Sequence, residues 1–235
     1  MRTRALLCLS AAALLLAPPA AQAASVTTMI VGKDSVLRPA KPVKLADTRR
    51  VKVGSRRCTV SGRTPLGLLA ATSLAIRVRD YGSCGRRPAD AASLFVTRIA
   101  GDANRGLDGW VYKAGRTVSS AGAGDRSGPR LRRGGRLLWF YCRTQQAGGC
   151  QRTLEATPDR TTAAPGEVVR VKVRGYDDQG RGVAVPGATV RVGSASATTD
   201  EGGMAELAVP EAGRLSVTAT RAGMVPAFPG EVIAR

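Results

Sequence analysis

The chain of 235 residues contains no histidine. Histidine is the usual general base near neutral pH and a common metal ligand, so its absence removes Ser-His-Asp and Cys-His nucleophile systems. Glutamate is also missing before Glu155, which leaves seven aspartates as the only acidic side chains of residues 25–152. No motif marks two of them as an acid–base pair. The sequence therefore predicts a protein that is not an enzyme and needs no cofactor and no metal.

Long hydrophobic runs are also scarce. Beyond the N terminus no run reaches about 18 apolar residues, so the sequence predicts no transmembrane segment. Residues 1–24 combine a positive start (MRTR), a short apolar run and the small-residue site AQA at 21–23. That order is typical of an export signal peptide. We expect a secreted or cell-envelope-associated protein whose mature chain begins near Ala24 or Ser25.

Four cysteines follow the predicted signal: Cys58, Cys84, Cys142 and Cys150. An even number in an exported chain predicts two disulfides. Three pairings are conceivable, and proximity along the chain favours Cys58–Cys84 with Cys142–Cys150. The alternative is a four-thiolate zinc site. Such sites normally use close Cys-x-x-Cys pairs, whereas the spacings here are 26 and 8 residues.

Acidic residues are too few to balance the basic ones, since 36 Lys and Arg against 17 Asp and Glu give a net charge of +19. Residues 25–152 hold 25 basic and 7 acidic residues, whereas residues 153–235 hold 9 and 10. Thirty of the basic residues are Arg, a bias typical of high-GC, actinobacterial-type composition. Base composition does not explain why the excess ends at residue 152. We interpret that change as a domain boundary.

Residues 25–152 mix strand patterns with one helix signal. The stretch 64–75 begins with an N-cap residue and a proline, Thr64 and Pro65, and carries leucines at helical spacing. Strand-like runs occupy 26–32, 48–60, 76–82, 93–101, 109–116 and 137–142. The order predicts an α+β domain with one helix packed on a sheet.

Residues 153–235 lack any helical period. Val169, Val171 and Val173 point to one side of a predicted strand while charged residues between them point to the other. Further alternating stretches follow, separated by glycine-rich turns, which predicts an all-β sandwich. Asp177 and Asp178 stand in the turn DDQG, where they act as turn formers, with a calcium ligand pair as the alternative.

Several motifs of the basic region resemble the transcobalamin-like C-terminal domain family, a domain of exported bacterial proteins. The resemblance covers about residues 48–142. Its motifs are Thr64-Pro65-Leu66 at the helix start, Gly109-Trp110-Val111-Tyr112 and Trp139-Phe140-Tyr141 on two strands, and Gly134-Gly135 at the turn before the last strand. It implies a β-grasp-like α+β fold. In the vertebrate cobalamin carriers this domain caps the vitamin beside an α-barrel domain, so the resemblance also implies, as an alternative function, carriage or capping of a cobalamin-like ring ligand.

Residues 154–235 resemble bacterial Ig-like domains of the invasin/intimin type and the related prealbumin-like modules. The motifs are PGEVVRVKVRGYDDQGRGV at 165–183, VPGATVRVG at 185–193 and TTDEGGMAELAV at 198–209. The resemblance implies a spacer or adhesive unit. The expected organisation is therefore a signal peptide (1–24), a basic, disulfide-bonded β-grasp-like domain (25–152) and an Ig-like β-sandwich (153–235).

Aromatic residues make up 4% of the chain, yet five of the nine lie on two short strands, among them the pairs Trp110 with Tyr112 and Trp139 with Tyr141. Residues two apart on a strand share a face, so each pair points to one side of its sheet. If the strands are neighbours, the rings meet as cross-strand pairs in the core. The alternative is an exposed aromatic platform for a ring or sugar ligand.

Arginines cluster at three places in the basic region: Arg56 and Arg57, Arg86 and Arg87, and Arg126, Arg130, Arg132, Arg133 and Arg136. An exported domain with this charge is expected to bind an anionic cell-wall polymer, or another extracellular polyanion, by releasing counterions. No motif indicates sequence-specific recognition of nucleic acid. The alternative is a solvated arginine-rich surface inherited from base composition.

Overall fold

A computed structural model describes residues 24–235, so residues 1–23 of the predicted signal peptide lie outside the described residues. Strands dominate this part of the chain, which also contains one five-residue α-helix and a short 3₁₀ helix. Below, the N-terminal part means residues 24–152 and the C-terminal part residues 153–235. No helix between residues 24 and 235 is long and apolar enough to cross a membrane.

The N-terminal part contains nine strands in three sheets. They are β1 (Ser25–Val31), β2 (Val36–Lys44), β3 (Thr48–Val53), β4 (Arg56–Ser61), β5 (Ile76–Asp80), β6 (Leu94–Ile99), β7 (Asp102–Ala103), β8 (Gly109–Lys113) and β9 (Arg136–Cys142). The largest sheet has the order β2-β1-β9-β8, while β3-β4 and β5-β6-β7 form smaller antiparallel sheets. The central strands β1 and β9 run parallel, with Thr28 opposite Leu137 and Ile30 opposite Trp139.

Helix α1 spans Pro65–Leu69, which is shorter than the predicted 64–75. The hydroxyl of Thr64 caps it by accepting the amide of Gly67 at 3.2 Å. All five residues are buried. A side chain on Gly67 would collide with the main-chain oxygen of Ser61, so the helix can approach β4 only with glycine there. The hydroxyl of Thr72 donates to Leu69 O at 2.7 Å, which competes with continuation of the helix.

Strand β2 was not predicted, because its segment carries Pro39 and Pro42 and prolines weaken a strand assignment. In the structure β2 lies at the edge of the large sheet. An edge strand tolerates proline best, because one of its sides has no neighbouring strand to receive N–H hydrogen bonds. Its partner β1 is irregular, with register shifts between Thr28 and Val31.

The C-terminal part is all-β, as predicted. Its strands are β10 (Thr153–Pro158), β11 (Thr162–Ala163), β12 (Val168–Tyr176), β13 (Gly182–Ala184), β14 (Thr189–Val192), β15 (Ala195–Thr198), β16 (Met204–Ala208), β17 (Gly213–Thr220) and β18 (Gly230–Ala234). One sheet contains β10-β12-β13 with β16 also pairing β12, and the other has the order β11-β18-β17-β14-β15. Val169, Val171 and Val173 are fully buried between the sheets, which is the alternation that the sequence predicts.

The two parts share a small apolar cluster. Met29, Leu138 and Phe140 of the large sheet are buried together with Val225 from the C-terminal part, and Phe228 packs against them. The opposite face of the same sheet, with Ile30 and Trp139, belongs to the core that covers α1. One face of the sheet therefore packs within the N-terminal part and the other contacts the sandwich.

Candidate polyanion-binding surface

The nine predicted arginines are exposed, and the structure divides them into two groups. Arg56, Arg57, Arg86 and Arg87 lie around the Cys58–Cys84 disulfide and are called the disulfide group. Arg126, Arg130, Arg132, Arg133 and Arg136 lie in and after the loop between β8 and β9 and are called the loop group. The structure does not gather them into one cluster.

The disulfide group is organised by β4 and the segment that follows β5. The structure joins Cys58 to Cys84, the pairing that chain proximity favours. Beside this bond the amide of Thr59 donates to Gly85 O at 3.0 Å, which brings the Gly-Arg-Arg run at 85–87 next to β4. Arg56 and Arg57, at the start of β4, therefore share this end of the strand with Arg86 and Arg87.

Within residues 24–235, Asp80 is the carboxylate that pairs with this group, since Arg56 Nη2 lies 3.3 Å from its Oδ2. Hydrogen bonds from the Ser93 hydroxyl and then from the amides of Cys84 and Gly82 hold the pKa of Asp80 below its usual value, and the charge of Arg56 adds to the effect. The carboxylate of Asp80 therefore holds the segment around Cys84 in place.

The loop group is held by main-chain bonds that cross to α1 and β4. Leu66 donates its amide to Ala123 O at 2.8 Å, and Leu131 donates its own to Arg63 O at 3.2 Å. Leu131 is buried, so the loop is anchored between Arg130 and Arg132, whose side chains are exposed. The same bond brings Arg63, which sequence reasoning did not single out, beside Arg126 and Arg130. The sequence shows Arg63 only as a single arginine directly before Thr64, the residue that caps the helix.

The two groups lie at different places along β4. Arg56 and Arg57 begin this strand, whereas Arg126 and Arg130 lie beside Arg63, just beyond its end at Ser61. At about 3.3 Å per residue of extended chain, β4 spans roughly 17 Å from Arg56 to Ser61. Arg136 is different again, because its guanidinium carbon lies 5.8 Å from the ring centre of Phe228 in the C-terminal part. A long polymer can touch both groups at once, whereas a small anion can occupy only one.

Four of the five aromatic residues of β8 and β9 form cross-strand pairs. Trp110 lies opposite Tyr141 and Tyr112 opposite Trp139, with ring centres 5.7 Å and 5.3 Å apart. All four are at most 4% exposed, which matches the core-facing interpretation. The alternative of a solvent-exposed platform does not agree with this burial.

A cavity of about 230 Å³ lies next to these rings, between β6, β8 and the loop 119–123. Its lining includes Trp110, Tyr112 and Trp139 together with Leu94 and Phe95. The phenol of Tyr112 donates to Ala121 O at 2.8 Å and so ties the loop over the cavity. The space is apolar and small.

Lys113, at the end of β8, is a buried charge that sequence reasoning missed. Its side chain is 1% exposed, and its ammonium nitrogen donates to Tyr176 O at 3.2 Å, Asp177 O at 2.8 Å and Thr153 Oγ1 at 3.1 Å. These three acceptors belong to the C-terminal part. Burial lowers the pKa of Lys113 to about 8, and the charges of Asp178 and Asp177 offset part of this effect. The alternation of β8 held a clue, because Lys113 shares a face with Val111 and lies opposite Leu138.

The second disulfide, Cys142–Cys150, also has the pairing that proximity favours. The amide of Cys150 donates to Asp178 Oδ2 at 2.8 Å, so this disulfide loop contacts the DDQG turn. Asp177 acts within that turn, where its Oδ1 accepts the amides of Gln179 at 3.1 Å and Arg181 at 2.9 Å. These hydrogen bonds are the ones expected when Asp177 stabilises a turn.

Comparison with known proteins shows no family for this chain. No protein-family model matches the chain, and no curated protein matches it either. Among solved structures, the D00–D0 domain of intimin is similar over 81% of this chain and 93% of its own, with 18% identity and a TM-score of 0.29. A likeness at that TM-score carries no argument about function, so the function rests on the geometry.

Proposed function

We propose that this protein is an exported, non-catalytic binding protein that acts at or outside the cell envelope, and that its basic N-terminal part contacts an acidic polymer. The observation that carries the proposal is the uneven balance of ion pairs. Among residues 24–235, eight of the nine arginines of the disulfide and loop groups make no ion pair with a carboxylate, Arg56 being the exception.

The C-terminal part serves as an internal comparison. There Arg170 pairs with Glu206 at 2.8 Å and Arg214 with Glu231 at 2.7 Å, and Arg160 pairs with Glu167. Among the described residues, four of the eight arginines of the C-terminal part pair with a carboxylate, against four of the twenty arginines of the N-terminal part. A by-product of base composition gives no reason for that difference, whereas a surface used for anions does.

The electrostatics of such a surface follow from its exposure. When exposed guanidinium groups neutralise a densely charged polymer, they displace the counterions condensed on it, and release of these counterions drives the association. Each contact with a polymer phosphate contributes about 0.9 to the slope of log K against log salt concentration, so binding should weaken steeply with salt. Because β4 spans roughly 17 Å, a surface with arginines near both ends of this strand suits an extended polymer better than a compact ligand.

The proposal includes the finer fold assignment, a β-grasp-like domain followed by an Ig-like sandwich. A mixed sheet with a parallel central pair, β1 and β9, and a helix packed on one face supports the first assignment. Two facing, mainly antiparallel sheets around a valine-rich core support the second. In this arrangement the sandwich is the spacer or adhesive unit.

The test measures retention of the purified protein on immobilised anionic wall polymer across a salt series. Because Lys113 and Phe140 are buried against the C-terminal part, whole-chain variants are better controls than isolated halves. Arg132→Gln with Arg133→Gln should shift elution to lower salt. Arg191→Gln with Arg235→Gln, which removes the same charge from exposed sites of the C-terminal part, should shift it much less.

Equal shifts for the two pairs, or retention that does not change up to about 0.5 M NaCl, would contradict the proposal. A parallel series on random-sequence DNA separates recognition of wall polymer from attraction to any polyanion. Equal retention on both supports selection by charge density alone.

A second candidate function, carriage of a ring ligand, is favoured by the aromatic-lined cavity. Its volume of about 230 Å³ is below the usual range for ligand pockets, roughly 300–1,000 Å³, so it suits a single ring and not a corrin macrocycle. Quenching of Trp110 and Trp139 fluorescence by a small aromatic or sugar at micromolar concentration supports this candidate. Unchanged fluorescence across a panel of single-ring compounds removes it.

A further inference from the structure

Three arginines converge on a small hollow between the β8–β9 loop and the end of β4. Arg63, Arg126 and Arg130 line it together with Ser61, Thr64 and Asp125, and its volume is about 140 Å³. At about 30 Å³ per water molecule this is room for four to five waters, close to the five heavy atoms of one phosphate group. We call it the arginine hollow.

The charge of the hollow is positive and unneutralised. Three guanidinium groups face one carboxylate, and among residues 24–235 none of the three makes an ion pair with a carboxylate within 4 Å. The carboxylate of Asp125 stabilises its own turn, since its Oδ1 accepts a hydrogen bond from the amide of Ser127 at 2.8 Å. The guanidinium forks, which match phosphate oxygens in pairs, therefore remain available.

The frame of the hollow is fixed by the main chain. The amide of Arg63 donates to the Ser61 hydroxyl at 3.3 Å, and its carbonyl accepts from Leu131 at 3.2 Å. On the opposite side the amide of Asp125 donates to Gly122 O at 2.9 Å. The backbones that carry the three arginines are thus held before any ligand arrives, which reduces the entropic cost of binding.

We propose that the arginine hollow binds one phosphate group of the acidic polymer and so sets the polymer's position, while the disulfide group supplies attraction without a defined site. This inference rests on the proposed function, because it names the ligand chemistry of the same surface. It predicts that part of the binding is specific for phosphate and not only for negative charge.

The test titrates the ¹⁵N-labelled whole protein with inorganic phosphate and, at equal ionic strength, with acetate. Phosphate should shift the amide resonances of residues 61–64 and 125–130, and acetate should not. The variant Arg63→Gln/Arg126→Gln/Arg130→Gln should weaken phosphate binding at least about tenfold, the loss expected when several charge-assisted hydrogen bonds are removed. The control Arg57→Gln/Arg86→Gln/Arg87→Gln removes the same charge from the disulfide group, which does not line the hollow, and should leave phosphate binding within about twofold.

A gain-of-function variant keeps the test independent of folding. Asp125→Asn preserves an oxygen for the Ser127 amide and removes the one negative charge of the hollow, so phosphate should bind several times more tightly.

The outcomes separate this inference from the proposed function. If acetate shifts the same resonances as phosphate, or if the two triple variants lose phosphate binding equally, the hollow is not a phosphate site. In that case salt-dependent retention on the wall polymer still supports the proposed function. If phosphate maps to the hollow but the protein is not retained on polymer, the proposed function fails and the phosphate site stands.

Discussion

The ammonium nitrogen of Lys113 lies 2.8 Å from the main-chain oxygen of Asp177, which joins the end of β8 to the sandwich across the boundary between the two parts. Tyr176 O and Thr153 Oγ1 complete its set of three acceptors. A buried ammonium is tolerated only when its donors are satisfied, so these contacts hold the two parts in one arrangement. The basic surface and the sandwich therefore move together.

Replacing Lys113 by methionine should destabilise the protein. Methionine has a similar length and no donors, so the carbonyls of Tyr176 and Asp177 lose their partner inside a dry interface. We expect the free energy of unfolding to fall by about 1–3 kcal/mol, the cost of leaving a buried polar group unsatisfied. Urea denaturation measures it. Lys172→Met, on the exposed face of β12, is the matched control and should change stability by less than about 0.5 kcal/mol.

The pH dependence of stability should carry the signature of Lys113. Its folded pKa is about 8, below the unfolded value of 10.5. Between those values the unfolded chain binds a proton that the folded chain does not, so stability rises with pH in this window. Below about pH 8 both states bind the proton, and the cost of burying the charge is fully present.

The comparison of wild type with Lys113→Met isolates this contribution. Burial also raises the pKa of Tyr112 from its usual value of 10.0, so this group contributes at higher pH, and urea midpoints are best compared between about pH 8 and pH 9.5. The wild type should gain stability relative to the variant as pH rises. Parallel curves for the two proteins would show that Lys113 keeps its ordinary pKa in the fold.

The two disulfides should differ in their contribution to stability. The Cys58–Cys84 bond closes a separation of 26 residues and the Cys142–Cys150 bond one of 8. In the chain-entropy treatment the longer loop contributes about 1 kcal/mol more. The Cys58→Ser/Cys84→Ser variant should therefore melt below the Cys142→Ser/Cys150→Ser variant.

The shorter disulfide has a local role that its loop length does not capture. Since the Cys150 amide contacts Asp178, loss of Cys142–Cys150 should expose the segment 143–151 to protease while the sandwich core stays protected from hydrogen exchange. Equal protease resistance with and without this bond would show that the remaining hydrogen bonds hold the segment unaided.

The sequence could predict those features of the structure that depend on residues close together in the chain, and not those that depend on contacts between distant segments. Cysteine proximity and the alternation around Val171 were sufficient for the disulfides and the sandwich strand. Pro39 and Pro42 weakened the prediction of a strand at β2. The strand forms nevertheless, because at the edge of the sheet the N–H groups that proline lacks are needed least. Lys113 depended on packing between distant segments, since Thr153 lies 40 residues further along the chain. The arginine hollow likewise needed a main-chain bond between Arg63 and Leu131 that no local pattern encodes.

The loop that carries part of the basic surface should depend on one phenol. Tyr112 donates its hydroxyl to Ala121 O at 2.8 Å, and the same loop provides Ala123 O to the helix at Leu66. Tyr112→Phe keeps the ring against Trp139 and removes only this bond, so we expect a loss of about 1 kcal/mol in the free energy of unfolding. Faster amide exchange confined to residues 119–128 should accompany it.

Tyr81→Phe, at a residue that is 66% exposed, is the control and should leave both quantities unchanged. A loss in Tyr112→Phe that spreads evenly over the N-terminal part would mean that the phenol supports the core and not the loop.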